Sequence, residues 1–307
     1  MITYFPSVTT YTRKLIALAV SAAALAGCSA SGNRPDAAPR PSPPKAVPSP
    51  AEAAPTMAPG PGGLAPVFMR AAGDGSTGAK TVALTFDADM TADQGPRAAR
   101  GERFDNPALI DALRTLKVPS TVFMTGRWAE EYPAQAKAIG TDPLFEIANH
   151  SYSHHAFSSP CYGLPEIGAE DMAADVRRAF TAIERAGARN VVPYFRFPGG
   201  CYDDDALRAV AQAEVTAVQW DVVSGDAFAT DANAVARQVL HQVRPGSLVV
   251  LHCTRSAAPV TEEAVRRIVP ELRRRGYRFV KVSDLMRQSA PAPAGAEVSG
   301  GPGPQQP

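Results

Sequence analysis

The chain has almost no surplus of either charge: 31 Lys and Arg stand against 30 Asp and Glu over 307 residues, a net charge of +1. Without a basic excess there is no electrostatic footprint for a phosphate backbone, so nucleic acid is not an expected partner. A membrane-spanning run is missing too, because the apolar stretch Leu15 to Gly27 covers thirteen residues where a bilayer helix needs about 20. Histidine is scarce, with five in all, and cysteine scarcer, with four. Proline is plentiful but uneven: 16 of 29 lie in residues 29–66 and 288–307. Between those flanks residues 67–287 have ordinary composition and the length of one domain with a large core.

Arg13 and Lys14 precede the short apolar run, the layout of a secretory signal peptide over residues 1–28. Leu25-Ala26-Gly27-Cys28 resembles the lipobox of bacterial lipoproteins, whose cysteine becomes the lipidated first residue of the mature chain. That resemblance implies export and a lipid anchor at Cys28, on the outer side of the cell membrane. Residues 29–66 are rich in Ala, Pro, Ser and Gly and hold few large apolar side chains, so they are expected to form an extended tether. Residues 288–307 are expected to be a disordered tail.

The middle of the chain alternates β-rich runs with helical spacing. Strands are predicted at 81–87, 120–124, 145–148, 192–197, 215–220, 247–252 and 277–282. A helix is predicted after the Asn106 cap, and another where Val265, Ile268, Val269 and Leu272 recur, kinked at Pro270 and stopped by Gly276. Strands separated by helices imply a mostly parallel sheet, as an α/β barrel or an open sheet, with chemistry beyond the strands' C-terminal ends. Asp87, His150, Arg196, Asp226 and His252 all fall at or shortly after such ends.

His150 and His154 are four apart, a spacing that on a helical turn points both rings the same way. With Asp87 and Asp89 nearby they offer nitrogen and carboxylate ligands for a metal, zinc by default. A carboxylate beside metal-activated water can serve as general base, a role that suits Asp87. His252 is expected to protonate a leaving amine, Asp226 to orient that imidazole, and Arg196 to pair with Asp87 and keep it ionised.

These residues resemble the bacterial polysaccharide deacetylases, carbohydrate esterase family four, across residues 80–285. Thr85-Phe86-Asp87 is similar to the family's first motif, His150-Ser151-Tyr152-Ser153-His154 to its H-[ST]-x-x-H motif, and Arg196-Phe197-Pro198 to R-x-P. Trp220-Asp221 leading to Asp226 resembles the fourth motif, and Val250-Leu251-His252 the fifth. The resemblance implies a distorted (β/α) barrel. It also implies removal of acetyl groups from an N-acetylated glycan with one divalent metal held by His150 and His154. Asp87 would be the base and His252 the acid, with Pro198, Gly199 and Trp220 toward the substrate.

Two positions depart from the family pattern. Ala88 stands where a second Asp is usual, leaving either Asp89, which strand alternation turns to the same side as Asp87, or Asp87 itself to complete the ligand set. Ala227 stands where an aromatic often follows the fourth-motif Asp. For an anchored enzyme the lead substrate is peptidoglycan. The alternatives are a non-catalytic glycan-binding protein on the same fold, or a hydrolase of small amides. Oligomeric state is not readable.

If Cys28 carries lipid, three thiols remain in an oxidising exterior, enough for one bridge. With His252 facing the site, alternation turns Cys253 toward the helices. Cys161 and Cys201 both follow site motifs, so they are the expected pair.

Overall fold

The computed structural model describes residues 53–71 and 80–289. The expected signal peptide, Cys28, the tether up to residue 52 and the tail from residue 290 lie outside the described residues. The chain runs through β1 (Val67–Phe68), β2 (Lys80–Ala88), α1 (Gly95–Ala99), α2 (Pro107–Thr115), β3 (Ser120–Met124), α3 (Gly126–Glu131) and α4 (Pro133–Gly140). It continues through β4 (Phe145–Asn149), α5 (Met172–Arg185), β5 (Val191–Phe195), α6 (Asp204–Ala211), β6 (Thr216–Val218) and β7 (Val222–Val223). The last elements are α7 (Ala232–Gln242), β8 (Ser247–His252), α8 (Thr261–Arg274), β9 (Tyr277–Phe279) and α9 (Val282–Ser289). All strand pairs among the described residues are parallel, in the order β1-β6-β5-β4-β3-β2-β8-β7, with β9 beside the start of β2. The sheet forms a half-barrel, as the alternating pattern implies.

Strand alternation sorts side chains into two layers. Val82, Leu84, Phe86 and Ala88 of β2, with Val122, Met124, Phe145, Ile147, Val249 and Leu251 of β3, β4 and β8, face the helices. Ala83, Phe123, Ala148, Tyr194 and Leu248 face the barrel interior, where Val282, Leu285 and Met286 of α9 pack on them. The odd-numbered face of β2 is therefore interior, and Asp87 near its C-terminal end looks into the barrel mouth. The same alternation sends Cys253, after β8, into the helix layer as a buried free thiol.

The helices obey the same logic. Asn106 caps α2 by accepting from the Leu109 N–H at 3.1 Å. In α8 the buried stripe includes Val265, Ile268, Val269 and Leu272, while Glu262–Arg266 and Glu263–Arg267 pairs occupy the outside. Pro270 is accommodated inside that helix, which continues to Arg274.

Several boundaries differ from the sequence expectation: strands expected to reach 197 and 220 end at Phe195 and Val218, and the expected tail start at 288 falls inside α9. Two further differences have a visible cause. The last strand ends at Phe279 and the chain turns into α9, because the Glu146 carboxylate, buried inside the barrel, accepts from the Ser283 N–H at 3.0 Å and hydroxyl at 2.6 Å. An anion at a helix N-terminus offsets its unpaired N–H groups, and a remote β4 residue supplies it. The expected tether also ends earlier than residue 66. The Pro55 carbonyl accepts from the Tyr194 hydroxyl at 2.8 Å, the Met57 N–H donates to Thr216 Oγ1 at 3.1 Å, and Ala65 is buried. Residues without regular structure can still dock when their backbone groups find partners.

Candidate active site

The C-terminal ends of β2, β4, β5 and β8 bring the candidate residues to one mouth. Asp87 is buried and its Oδ1 accepts from Arg196 Nη1 at 2.5 Å, while its Oδ2 lies 3.8 Å from His150 Nε2. Arg196 is fully buried. Its Nε donates to the Val218 carbonyl at 3.1 Å, and its guanidinium lies 3.8 Å from the Phe123 ring centroid. Burial by itself lowers the Arg196 pKa, and Asp87 works against that.

His150 and His154 are not on a helical turn. The chain leaves β4 into a loop in which Ser151 (φ 69°) and His154 (φ 56°) take left-handed backbone. Side chains stabilise that path: Asn149 Oδ1 accepts from the Ser151 N–H at 2.8 Å, Ser151 Oγ from the His154 N–H at 2.9 Å, and Asp175 on α5 from the Tyr152 N–H at 2.7 Å. The imidazole centroids end 5.1 Å apart. The four-residue spacing therefore works through a polar-capped loop rather than helical periodicity.

Asp89 lies just beyond β2, where its N–H donates to Thr254 Oγ1 at 2.9 Å. Its Oδ1 is 3.3 Å from His150 Nε2 and 3.8 Å from His154 Nε2. One ligand atom from each of the three residues fits within 4.8 Å of the others. The Asp89 Oδ1 atom is buried and meets no donor in hydrogen-bond geometry. His150 Nδ1 lies 2.9 Å from the Arg196 carbonyl, which sets the proton on that nitrogen and leaves the Nε2 lone pair facing the carboxylate. A lone pair opposed to an unsatisfied buried carboxylate oxygen suits a cation, so the donor set fits a divalent metal. Ala88 sits in the helix layer, so a carboxylate there would enter apolar surroundings.

Burial pushes His154 down to about 4, keeping it neutral as a metal ligand must be. Burial opposes the charged form of His150 as well, but Asp87 and Asp89 together hold its pKa above the ordinary value, so a proton and a metal would compete for its Nε2. Burial would raise Asp89, yet His154, His150 and His252 outweigh it and hold the carboxyl low.

On the neighbouring strand, in register with Asp87, His252 ends β8 with its Nδ1 2.8 Å from Asp226 Oδ1. Burial disfavours its charge, but Asp226 overrides this and lifts the imidazole to about 10. Asp226 also accepts from Ser224 Oγ, the His252 N–H and Thr261 Oγ1 at 2.8, 2.8 and 2.6 Å. Ser224, Thr261, Thr254 and Asp175 escaped sequence reasoning, since hydroxyls and a helix carboxylate carry no motif signal until the fold aims them.

Cys161 and Cys201 form a disulfide with their Cα atoms 5.9 Å apart. It joins the loop after His154 to the turn Pro198–Gly200 after Arg196. That turn needs glycine: at Gly199 (φ +63°) a Cβ would come 2.6 Å from Cys161 Sγ, and at Gly200 (φ +73°) 2.6 Å from the Trp220 ring. Gly199 is exposed and Trp220 half-exposed at this rim. Pro198, expected toward the substrate, is buried within the turn.

A family model described as polysaccharide deacetylase matches residues 74–218. A chitooligosaccharide deacetylase of Sinorhizobium fredii is 30% identical over 220 residues, covering 68% of this chain and 94% of that protein. The chain belongs to the polysaccharide deacetylase family. A peptidoglycan-N-acetylglucosamine deacetylase of Bacillus cereus is 27% identical over 210 residues, covering 68% of this chain and 89% of the relative. Among solved structures, a carbohydrate esterase family four pseudoenzyme from Bacillus anthracis superposes with a TM-score of 0.57 at 22% identity, over 72% of this chain and 68% of that one. That likeness concerns the fold, so the chemistry of this polysaccharide deacetylase rests on its own residues.

Proposed function

We propose that this polysaccharide deacetylase hydrolyses acetamido groups of an envelope polysaccharide, peptidoglycan first, using one divalent metal, zinc favoured, at Asp89, His150 and His154. The single observation that carries the reading is one mouth with a carboxylate clamped by a buried arginine on one side and a carboxylate-bound imidazole on the other. A metal bound at the His–His–Asp cluster would supply Lewis acidity to the acetyl carbonyl and to the attacking water. Asp87, held by Arg196, takes the proton as the water oxygen bonds to the carbonyl carbon. The carbon–nitrogen bond then breaks. His252, charged at neutral pH and oriented through Nδ1 by Asp226, delivers its Nε2 proton to the departing nitrogen, so acetate and a free amine result.

The peptidoglycan preference is supported by the Bacillus cereus relative and by the N-terminal sequence. A signal peptide, lipidation at Cys28 and a tether would present the domain on the outer face of the membrane to the polymer lying there. Acetate release from purified peptidoglycan by the full chain, metal-stripped and reloaded with zinc, tests the reading. Asp87→Asn and His150→Ala are the controls. Metal-dependent release absent from both variants is the expected result. Zinc binding with no acetate from any acetylated glycan would overturn it in favour of a non-catalytic glycan binder, and turnover of small amides alone would redirect it to those.

A further inference from the structure

Five large apolar side chains are exposed among the described residues, and two are aromatic: Tyr162 at 89% and Phe228 at 83%. Both sit on loops that carry the site. Tyr162 follows Cys161 on the loop that leaves β4 through His154, and Phe228 comes two residues after Asp226 on the loop that leaves β7. Strand order β5-β4-β3-β2-β8-β7 puts these loops on opposite sides of β2, which carries Asp87.

Each ring is held out by a fixed backbone. Tyr162 has φ 48° and Phe228 φ 58°, left-handed values that a bulky residue seldom adopts. The disulfide anchors the residue before Tyr162, and the Phe228 N–H donates to the Ala257 carbonyl at 2.6 Å. Tyr162 also continues a surface leading to the chemistry. A Cβ on Gly199 would lie 3.2 Å from Tyr162 Cδ2, Gly200 lies beneath Trp220, and the Trp220 ring is 5.4 Å from the guanidinium that grips Asp87. Apolar exposure and a left-handed backbone both disfavour the folded chain, and neither ring is buried in return. A ligand that covers the rings would offset that cost. The face of a pyranose, lined with C–H bonds and edged with hydroxyls, fits such an amphipathic surface.

Resting on the deacetylase reading, we propose that Tyr162 and Phe228 are stacking platforms for the sugars on either side of the one being deacetylated. The site then reads a stretch of glycan rather than a lone acetamide. The disulfide is the clamp that holds the Tyr162 bank in place.

The test measures acetate release by the metal-loaded full chain from chitin oligomers of increasing length, with a small aryl acetate ester as a reference that reaches neither platform. Tyr162→Ala and Phe228→Ala should each raise KM for the hexamer roughly threefold to tenfold. The value of kcat should stay the same, and turnover of the monosaccharide and the ester should not change. Tyr162→Trp should restore the hexamer KM, and disulfide reduction should reproduce Tyr162→Ala without adding to it. Unaltered KM at every length overturns the proposal, as does an equal loss on hexamer and ester. If the unmodified chain releases acetate from no glycan, the deacetylase reading falls and the platforms are judged by hexamer binding followed through tryptophan fluorescence. Binding weakened in both variants then sustains them, and absent or unaltered binding overturns them.

Discussion

Asp226→Asn separates charge from shape at the proposed acid. The Asp226 carboxylate is saturated: Oδ2 takes the His252 N–H and the Thr261 hydroxyl, and Oδ1 takes the Ser224 hydroxyl and His252 Nδ1. In the variant the amide oxygen has to remain at the Oδ2 position, because the backbone N–H there can only donate. Its NH2 then faces Nδ1, which must offer a lone pair instead of a proton. The pKa of His252 stands at about 10 against an ordinary 6.5, a gap worth roughly 5 kcal/mol in favour of the charged ring. Burial opposes that charge, and Asp226 is the leading influence that overcomes it. Without the carboxylate the imidazole should titrate at or below its ordinary value, a fall of about 3 pH units or more. At pH 8 the protonated fraction, and kcat with it, should fall at least about thirtyfold, before any loss from the wrong tautomer. NMR titration of the His252 ring in the metal-free chain measures the first quantity, and the pH profile of acetate release the second. The linkage to stability has a definite direction. Because the folded value is above the unfolded one, the contribution is complete below about pH 6.5 and disappears as pH rises towards 10, so unfolding free energy should decline across that window in the parent chain. A variant whose His252 is still charged at pH 9 would refute this account of the pair.

Other substitutions probe the residues at the end of β2 and the disulfide. Asp89→Ala should weaken metal binding by at least about tenfold to a hundredfold, since it removes a carboxylate whose oxygen faces both imidazoles; full metal content in dialysed protein would show that Asp89 is not a ligand. Asp87→Asn should retain metal yet lose about a hundredfold or more in kcat. The same change leaves the buried Arg196 without its counter-charge, so chemical denaturation should also report a loss of about 3–5 kcal/mol. Reducing the Cys161–Cys201 bridge, which spans 40 residues of sequence, should cost about 4 kcal/mol of stability on the chain-entropy account, seen as a lower melting temperature in reductant. An unshifted melt would mean that the loops are held by other contacts.

Much of the site was legible in the chain because its chemistry is tied to strand ends. Alternation in 81–87 and 247–252 was enough to aim Asp87 and His252 inward and Cys253 outward, and the order of motifs sufficed for family and fold class. Local sequence also marked the Asn106 cap and the apolar stripe of α8. What it did not contain were relations between residues far apart. That Asp87 pairs with a guanidinium more than a hundred residues on, while Asp89 faces the two imidazoles, came from the fold. The loop that presents His150 and His154 is set by Asn149 and by Asp175 from a helix, so a helical turn was the wrong local guess. Glu146 turned the end of a predicted strand into α9, and buried Tyr194 drew in the residues around Pro55 that looked like tether. Periodicity and motif spacing are short-range signals, and they marked most of the elements and the candidate groups. Hydrogen-bond partners, burial and the resulting charge states come from chain segments that only folding brings together, and those were decided by the tertiary structure.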